Sequence, residues 1–167
     1  MPVQKTVNRE YPAAYHGDFA SANPRFSTIG PEGAWRAGSG GVTVGSFVWC
    51  DEDNRVVNNT GKGAPDGFIR RGGLSVITAI PQAASMTLLS GQPVTVYELG
   101  EFWVDLPAGV TATRKAPVYC NTATGAIVAS GGSNATQTRY FYAESGVPGA
   151  KVKISAYLGA PVAPSVV

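Results

Sequence analysis

Charged residues are scarce in this chain of 167 residues. They make up 14% of it, against roughly 25% in a typical soluble domain. The formal net charge is +2, and nowhere are more than two basic residues adjacent. Proteins that bind nucleic acid carry a concentrated basic patch, so we expect no nucleic acid partner. So few charges also indicate that something other than water covers much of the surface.

Long apolar runs are missing as well. No run approaches the roughly 18 residues that a membrane-spanning helix needs, and residues 1–20 hold no apolar stretch of signal-peptide length. We therefore expect no membrane partner and synthesis in a cytoplasm. A chain of this length usually forms one domain with an ordinary hydrophobic core.

Cysteine and histidine are rare: the chain has two cysteines and one histidine. Cys50 and Cys120 each lie in a strand-like run, which is typical of small buried hydrophobes rather than of a disulfide framework or a metal site. A Ser-His-Asp or Cys-His arrangement would have to use His16, and no G-x-S-x-G motif accompanies it. We predict no catalytic residue, no metal ligand and no cofactor.

Three acidic residues, Glu98, Glu101 and Asp105, lie close to Trp103. A glycosidase needs two carboxylates about 5 to 5.5 Å or about 6.5 to 9.5 Å apart. Glu101 and Asp105 share a strand face but are separated by roughly 13 Å of strand rise. This local pair therefore fails, and a hydrolase would need a second carboxylate from another strand.

Two polar stretches imitate binding motifs. Asp51 and Asp53 alternate as in the opening of a calcium loop, but Arg55 stands where another oxygen ligand belongs. We interpret this stretch as a polar hairpin turn. Arg70 and Arg71 end a strand-like run, where they either reach a carboxylate of a partner or form a solvated pair.

Residues 42–158 consist of short β-branched and aromatic runs separated by turn residues, at the spacing of a sandwich or barrel. Paired runs flank the turns DEDN, GG, TATG and SGVPGA, and no segment shows a convincing helical period. The predicted fold class is all-β, an antiparallel β-sandwich or jelly-roll-like barrel of about eight strands.

Residues 1–41 show no sustained period of 3.6 or 2, and proline and glycine recur in them. We predict an extended N-terminal arm over residues 1–41, a body over residues 42–158 and an apolar tail over residues 159–167. The arm is too aromatic for a disordered linker, so we expect it to lie on a surface, which another chain could provide. Its aromatic residues are Tyr11, Tyr15, Phe19, Phe26 and Trp35.

Residues 91–109 predict a β-hairpin with a three-residue loop at 98–100. In that register Val96 faces Phe102 and Val94 faces Val104. The predicted core face holds Val94, Val96, Phe102, Val104 and Leu106. The predicted outer face holds Thr95, Tyr97, Glu101, Trp103 and Asp105.

Five phrases occur in order along nearly the whole chain: MPVQKTVNREYPAAYHGD, VTVGSFVWCD, PDGFIRR, SMTLLSGQPVTVYELGEFWVDL and VYCNTATGAI. Together they resemble the structural cement, or head decoration, proteins of tailed bacteriophages. The resemblance implies a small β-rich protein made in the cytoplasm of a bacterial host. It would bind the outer surface of the virion capsid and clamp neighbouring major capsid protein subunits. The resemblance carries no catalytic residues.

On this interpretation the body forms a homo-oligomer, either a dimer or a trimer. The predicted partner interface comprises the five aromatic residues of the arm together with Tyr97, Trp103 and Tyr157. An alternative function is a carbohydrate- or receptor-binding β module of a phage tail, for which Trp103 and Tyr97 would form the aromatic platform.

Overall fold

The computed structural model of the protein describes residues 14–30, 34–72 and 86–158. These residues form β-structure without any helix, and hence without one long and apolar enough to span a membrane. The all-β prediction is confirmed. Tyr11, the predicted strand at residues 74–80 and the tail at residues 159–167 lie outside the described residues.

Fourteen strands occur in the described residues, and only β13 is longer than five residues. In chain order they are β1 (Phe26–Ser27), β2 (Trp35–Ala37), β3 (Val42–Thr43), β4 (Phe47–Asp51), β5 (Val56–Asn58), β6 (Gly67–Ile69), β7 (Thr87–Leu88), β8 (Pro93–Val94), β9 (Val96–Leu99), β10 (Glu101–Asp105), β11 (Pro117–Asn121), β12 (Ile127–Val128), β13 (Ala135–Tyr142) and β14 (Lys151–Ser155).

These strands form three open sheets. The seven-stranded sheet has the order β1-β9-β6-β4-β5-β2-β8, the five-stranded sheet has the order β10-β14-β13-β11-β12, and β3 pairs with β7. All pairings among these strands are antiparallel except that of β2 with β5. The described residues form no closed barrel, so the jelly-roll-like barrel of about eight strands is not confirmed. Sequence pattern misses this arrangement because a run of two residues cannot be told from a turn.

Two hydrophobic cores lie on opposite faces of the seven-stranded sheet. The first core is shared with the five-stranded sheet and contains Phe47, Phe68, Phe102 and Tyr140. The second core contains Val48, the neighbour of Phe47 in β4. Successive residues of a strand point to opposite faces, so β4 supplies both cores and is apolar at adjacent positions.

Three of the predicted hairpin pairings are confirmed, namely β4 with β5, β11 with β12, and β13 with β14. The hairpin predicted at residues 91–109 is wrong. Strand β9 pairs with β6 and β1, whereas β10 pairs with β14. The chain therefore passes from one sheet to the other at Gly100 instead of turning back on itself.

The burial predicted for that stretch is nevertheless confirmed. The buried residues include all five of the predicted core face: Val94, Val96, Phe102, Val104 and Leu106. Val94 and Val96 enter the second core, and the other three enter the first. A Cβ at position 100 would lie 3.1 Å from the ring of Phe102, so glycine leaves room for the crossing. The apolar alternation alone misses the crossing because a hairpin would bury the same five residues.

The N-terminal segment, residues 14–30, lies along both sheets. Beside β10, the backbone N–H of Gly17 donates to the carbonyl of Trp103 at 2.7 Å. Further along the segment, the backbone N–H of Ala20 donates to the carbonyl of Glu101 at 2.9 Å. Strand β1 then pairs with β9. This part of the predicted arm therefore lies on the body of its own chain, as an extended segment added to a sheet edge.

The packing predicts a large cost for truncating Phe102. This ring is fully buried and contacts Phe19, Phe68 and Tyr140. We expect Phe102→Ala to lower the free energy of unfolding by about 3 to 5 kcal/mol, because it leaves a cavity in the first core. Phe26→Ala is the matched control and should cost less than about 1 kcal/mol, since Phe26 is 56% exposed. Urea unfolding measures both, and equal costs would contradict the assignment of the core.

Candidate interaction surfaces

His16, in the N-terminal segment, contacts residues of both sheets. Its Nδ1 accepts a hydrogen bond from the backbone N–H of Asp105, 2.9 Å away in β10. On its other side, the imidazole fills the space beside Gly45, where a Cβ would lie 2.4 Å from the ring. Gly45 in turn donates to the carbonyl of Ile69 in β6 at 2.7 Å. One imidazole therefore connects β10 with the seven-stranded sheet.

Burial lowers the pKa of His16 from its usual range. The Asp105 carboxylate and a backbone hydrogen bond with Gly45 oppose this shift, and the Lys151 ammonium adds to it. The hydrogen bond from Asp105 also requires an unprotonated Nδ1. Both effects favour the neutral imidazole in the folded protein.

Phe19 lies at the centre of an aromatic cluster that the N-terminal segment shares with the body. Its ring centroid lies 5.4 Å from that of Tyr97 and 5.5 Å from that of Phe102. The guanidinium carbons of Arg25 and Arg70 lie 3.9 and 4.4 Å from the Phe19 centroid. Phe19 is thus half-buried among residues of its own chain.

Three exposed apolar side chains lie on or beside β1, and we call them together the edge surface: Phe26, Ile29 and Tyr157. Their exposed fractions are 56%, 93% and 43%. Phe26 lies in β1, an outermost strand of the seven-stranded sheet as the described residues form it. The hydroxyl of Tyr157 donates a hydrogen bond to the carbonyl of Pro24, which holds the tyrosine beside this strand.

A second apolar surface, which we call the loop surface, consists of the loops 106–113 and 145–150. Backbone hydrogen bonds between Ala112 and Gly146, of 2.9 and 3.0 Å, join the two loops. Neither loop contains a charged residue. Val147 is 68% exposed at its tip. An uncharged surface of this kind loses little hydration when another protein covers it.

The two surfaces lie at opposite ends of the β10–β14 pair. Glu101 pairs with Ser155 at the end near the edge surface, and Asp105 pairs with Lys151 at the end near the loop surface. Four residues of strand separate these ends by roughly 13 Å. Five consecutive paired positions make the connection between the surfaces rigid.

Of the eight predicted interface residues, Tyr15, Phe26 and Tyr157 are exposed. Trp35 is 4% exposed and belongs to the second core. Trp103 lies beneath Lys153, whose Nζ is 4.7 Å from the ring centroid.

The aromatic platform considered for a carbohydrate-binding module is not assembled in this fold. Tyr97 lies in β9 and packs against Phe19 and Phe102. Trp103 lies in β10, which belongs to the other sheet. The two aromatic residues therefore do not share one open face.

The acidic residues considered for hydrolysis have structural partners. Glu98 forms an ion pair with Arg139 at 3.7 Å, and Asp105 pairs with a lysine of β14 at 2.6 Å. Glu101 accepts a hydrogen bond from the hydroxyl of Ser155 at 2.9 Å. Glu98 therefore links the two sheets, and Glu101 and Asp105 link the neighbouring strands β10 and β14.

The cysteines are protonated at neutral pH. Burial raises the pKa of Cys50 and of Cys120 to about 12, and for Cys50 the carboxylates of Asp66 and Glu52 add to the shift. Thiols of this kind are poor nucleophiles and poor metal ligands. No group of three or more potential metal ligands occurs in the described part of the chain.

Sequence reasoning missed Ile29 and Val147, the two most exposed large apolar residues of the described chain. Neither is aromatic, whereas the predicted interface consists of aromatic residues alone. A usable signal did exist for Val147. It stands in the turn SGVPGA, where a hairpin normally carries polar residues.

The fold and its exposed apolar ends point to a β-structured protein that contacts other proteins. A profile of the XM1 gp53 minor capsid protein family matches residues 3–156 of the chain. The chain therefore belongs to this family and is a capsid-associated structural protein of a bacteriophage.

A solved structure described as the capsid of Myoviridae phage XM1 contains a chain of similar fold. The TM-score is 0.64 at 15% sequence identity, over 93% of this chain and 98% of that chain. At this identity the likeness concerns the fold alone. No match was found among curated proteins.

The position of His16 predicts a loss of stability in mild acid. The histidine of the unfolded chain titrates near pH 6.5, and its pKa in the folded protein is lower. The neutral imidazole therefore contributes its full stability above about pH 6.5, and this contribution falls as the pH drops toward the folded pKa. We expect His16→Asn, which keeps an acceptor near the Nδ1 position without titrating, to show a smaller loss than the wild type.

Urea unfolding at pH 7.5, 6.5 and 5.5 measures this difference. The carboxylates contribute alike to both proteins, so the comparison isolates the imidazole. Parallel curves of stability against pH would show that His16 does not carry the effect.

Proposed function

We propose that this chain is a capsid decoration, or cement, protein. It binds the outer surface of a phage head and clamps neighbouring major capsid protein subunits. Membership of a minor capsid protein family supports a role on the shell. The observation that carries the clamping mechanism is the placement of two exposed apolar surfaces at opposite ends of one rigid strand pair.

A clamp needs two contacts that cannot move relative to each other. The edge surface and the loop surface meet this need, because the β10–β14 pair runs between them and the Tyr157–Pro24 hydrogen bond holds the edge surface at one end. Each surface can rest on a different subunit across a junction of the shell. A subunit that shifts must then break an apolar contact, since the clamp does not stretch to follow it.

The energetics favour two modest contacts over one strong contact. Complete burial of a large apolar side chain is worth about 1.5 to 3 kcal/mol, so Ile29 or Val147 alone gives weak binding. Once one surface is bound, the other binds as an intramolecular step, which raises avidity by about 10² to 10⁴. A symmetric dimer or trimer would multiply the contacts again.

Head binding by surface variants tests this proposal. The starting material is purified heads of the phage that encodes this chain, prepared without the protein. We expect Ile29→Ser and Val147→Ser each to weaken binding about tenfold, because each removes an exposed apolar contact from one surface. The double variant should fail to bind even at concentrations where either single variant saturates the heads.

Leu89→Ser is the matched control, because Leu89 is 44% exposed but belongs to neither surface. It should bind like the wild type, and co-sedimentation with heads measures the wild type and all four variants. Circular dichroism confirms that each variant is folded. If the double variant binds as tightly as the wild type, the two surfaces do not form the clamp.

A further inference from the structure

Three arginines of the chain are held against aromatic rings of the N-terminal segment. Arg25 and Arg70 share the ring of Phe19, with guanidinium carbons 3.9 and 4.4 Å from its centroid. The guanidinium carbon of Arg71, the next residue, lies 4.5 Å from the ring centroid of Tyr15. The backbone supports this grouping, because the N–H of Arg71 donates to a carbonyl of the same segment at 2.9 Å.

This arginine cluster, Arg25, Arg70 and Arg71, has no acidic partner in the described chain. Over residues 14–30, 34–72 and 86–158, the ion pairs of Arg139 with Glu98 and of Lys151 with Asp105 involve none of these three arginines. Three positive charges therefore stand together in a chain whose formal net charge is only +2. An unbalanced local charge of this kind attracts a group of opposite sign.

Stacking prepares the guanidinium groups for a particular ligand. A guanidinium on an aromatic face keeps the N–H donors at its rim free, and these donors match the two oxygens of a carboxylate. A long side chain that is already fixed in the free protein loses less conformational entropy when the ligand binds. The rings of Phe19 and Tyr15 thus do more than fill space, because they hold the donors in place.

The surroundings extend the cluster into a small site. Arg70 also lines a cavity of about 140 Å³, together with Val94, Leu88 and Tyr97. A ligand that fits both features has a carboxylate for the arginines and an apolar side chain for the cavity. A peptide segment with acidic and apolar residues has this chemistry, whereas a nucleic acid strand lacks the aliphatic part.

We propose that the arginine cluster is a carboxylate-binding site for an acidic segment of a partner protein. The identification of this acidic segment as part of the major capsid protein rests on the function proposed above. The affinity of the arginine cluster for carboxylates does not rest on that function. The edge and loop surfaces then supply apolar contact, and the arginine cluster sets the register by charge. This assigns the adjacent pair Arg70 and Arg71 to a partner rather than to solvent.

Binding of a model peptide tests the site without any capsid. The probe is a hexaglutamate peptide, titrated into the full-length ¹⁵N-labelled protein at low ionic strength, with hexaglutamine as the neutral control. We expect saturable amide shifts at Gly17, Arg70 and Arg71 with hexaglutamate only. The variants Arg25→Gln and Arg70→Gln should each weaken binding about tenfold, because each removes a charge-assisted contact.

Lys62→Gln is the charge-matched control, since it removes one exposed positive charge outside the cluster. It should leave the affinity within about twofold of the wild type. Phe19→Leu keeps an apolar side chain but removes the stacking face, and it should weaken peptide binding while both arginines remain. Amide spectra of each variant establish that the fold is retained.

Several outcomes would overturn the proposal. The site is absent if hexaglutamate shifts no amides beyond those that hexaglutamine shifts, or if Lys62→Gln weakens binding as much as Arg70→Gln. Tighter binding of single-stranded DNA or inorganic phosphate through the same arginines would make this a phosphate site. A large gain in affinity on replacing Glu10 and Glu32 by glutamine would show that the chain's own acids occupy it. None of these results depends on head binding. The carboxylate site and the clamping function can therefore be refuted independently of each other.

Discussion

Contact between aromatic rings across the two sheets is the interaction on which the rest of this structure depends. The rings belong to Phe19, Phe47, Phe68, Tyr97, Phe102 and Tyr140. Large rings bury much apolar area each and prefer offset or edge contacts, which suits two sheets built from very short strands. The one polar group deep in this cluster is satisfied, because the hydroxyl of Tyr140 donates to the carbonyl of Tyr97 at 3.0 Å. Phe19 brings the N-terminal segment into the same cluster.

This arrangement explains why the remaining apolar residues lie at the ends of the molecule. The faces of the seven-stranded sheet are used by the two cores, and residues 17–20 lie along β10. Ile29 follows β1 and Val147 lies at the tip of the 145–150 loop, and both side chains are largely exposed. An apolar side chain that is left in water in this way is stabilised when a partner covers it. The same strand pair that completes the first core therefore also spaces the two contact surfaces.

Sequence pattern predicted burial better than it predicted pairing. The alternation in residues 94–106 identified five buried positions, because burial follows from the period of the side chains. It did not predict that Gly100 carries the chain into a second sheet, since that depends on strands far away in the sequence. For the same reason the aromatic content of the predicted arm, residues 1–41, was visible in the sequence, but the burial of Trp35 in the second core was not. The exposed aliphatic residues Ile29 and Val147 could be recognised only from the packing around them.

The copy number of this chain relative to the major capsid protein in purified virions tests the central claim most directly. Quantitative peptide mass spectrometry measures it. A protein that clamps subunits throughout the shell must be present at a ratio near one to one, or at a simple fraction of it. Only a few copies per particle, or none, would contradict a clamp that acts across the lattice.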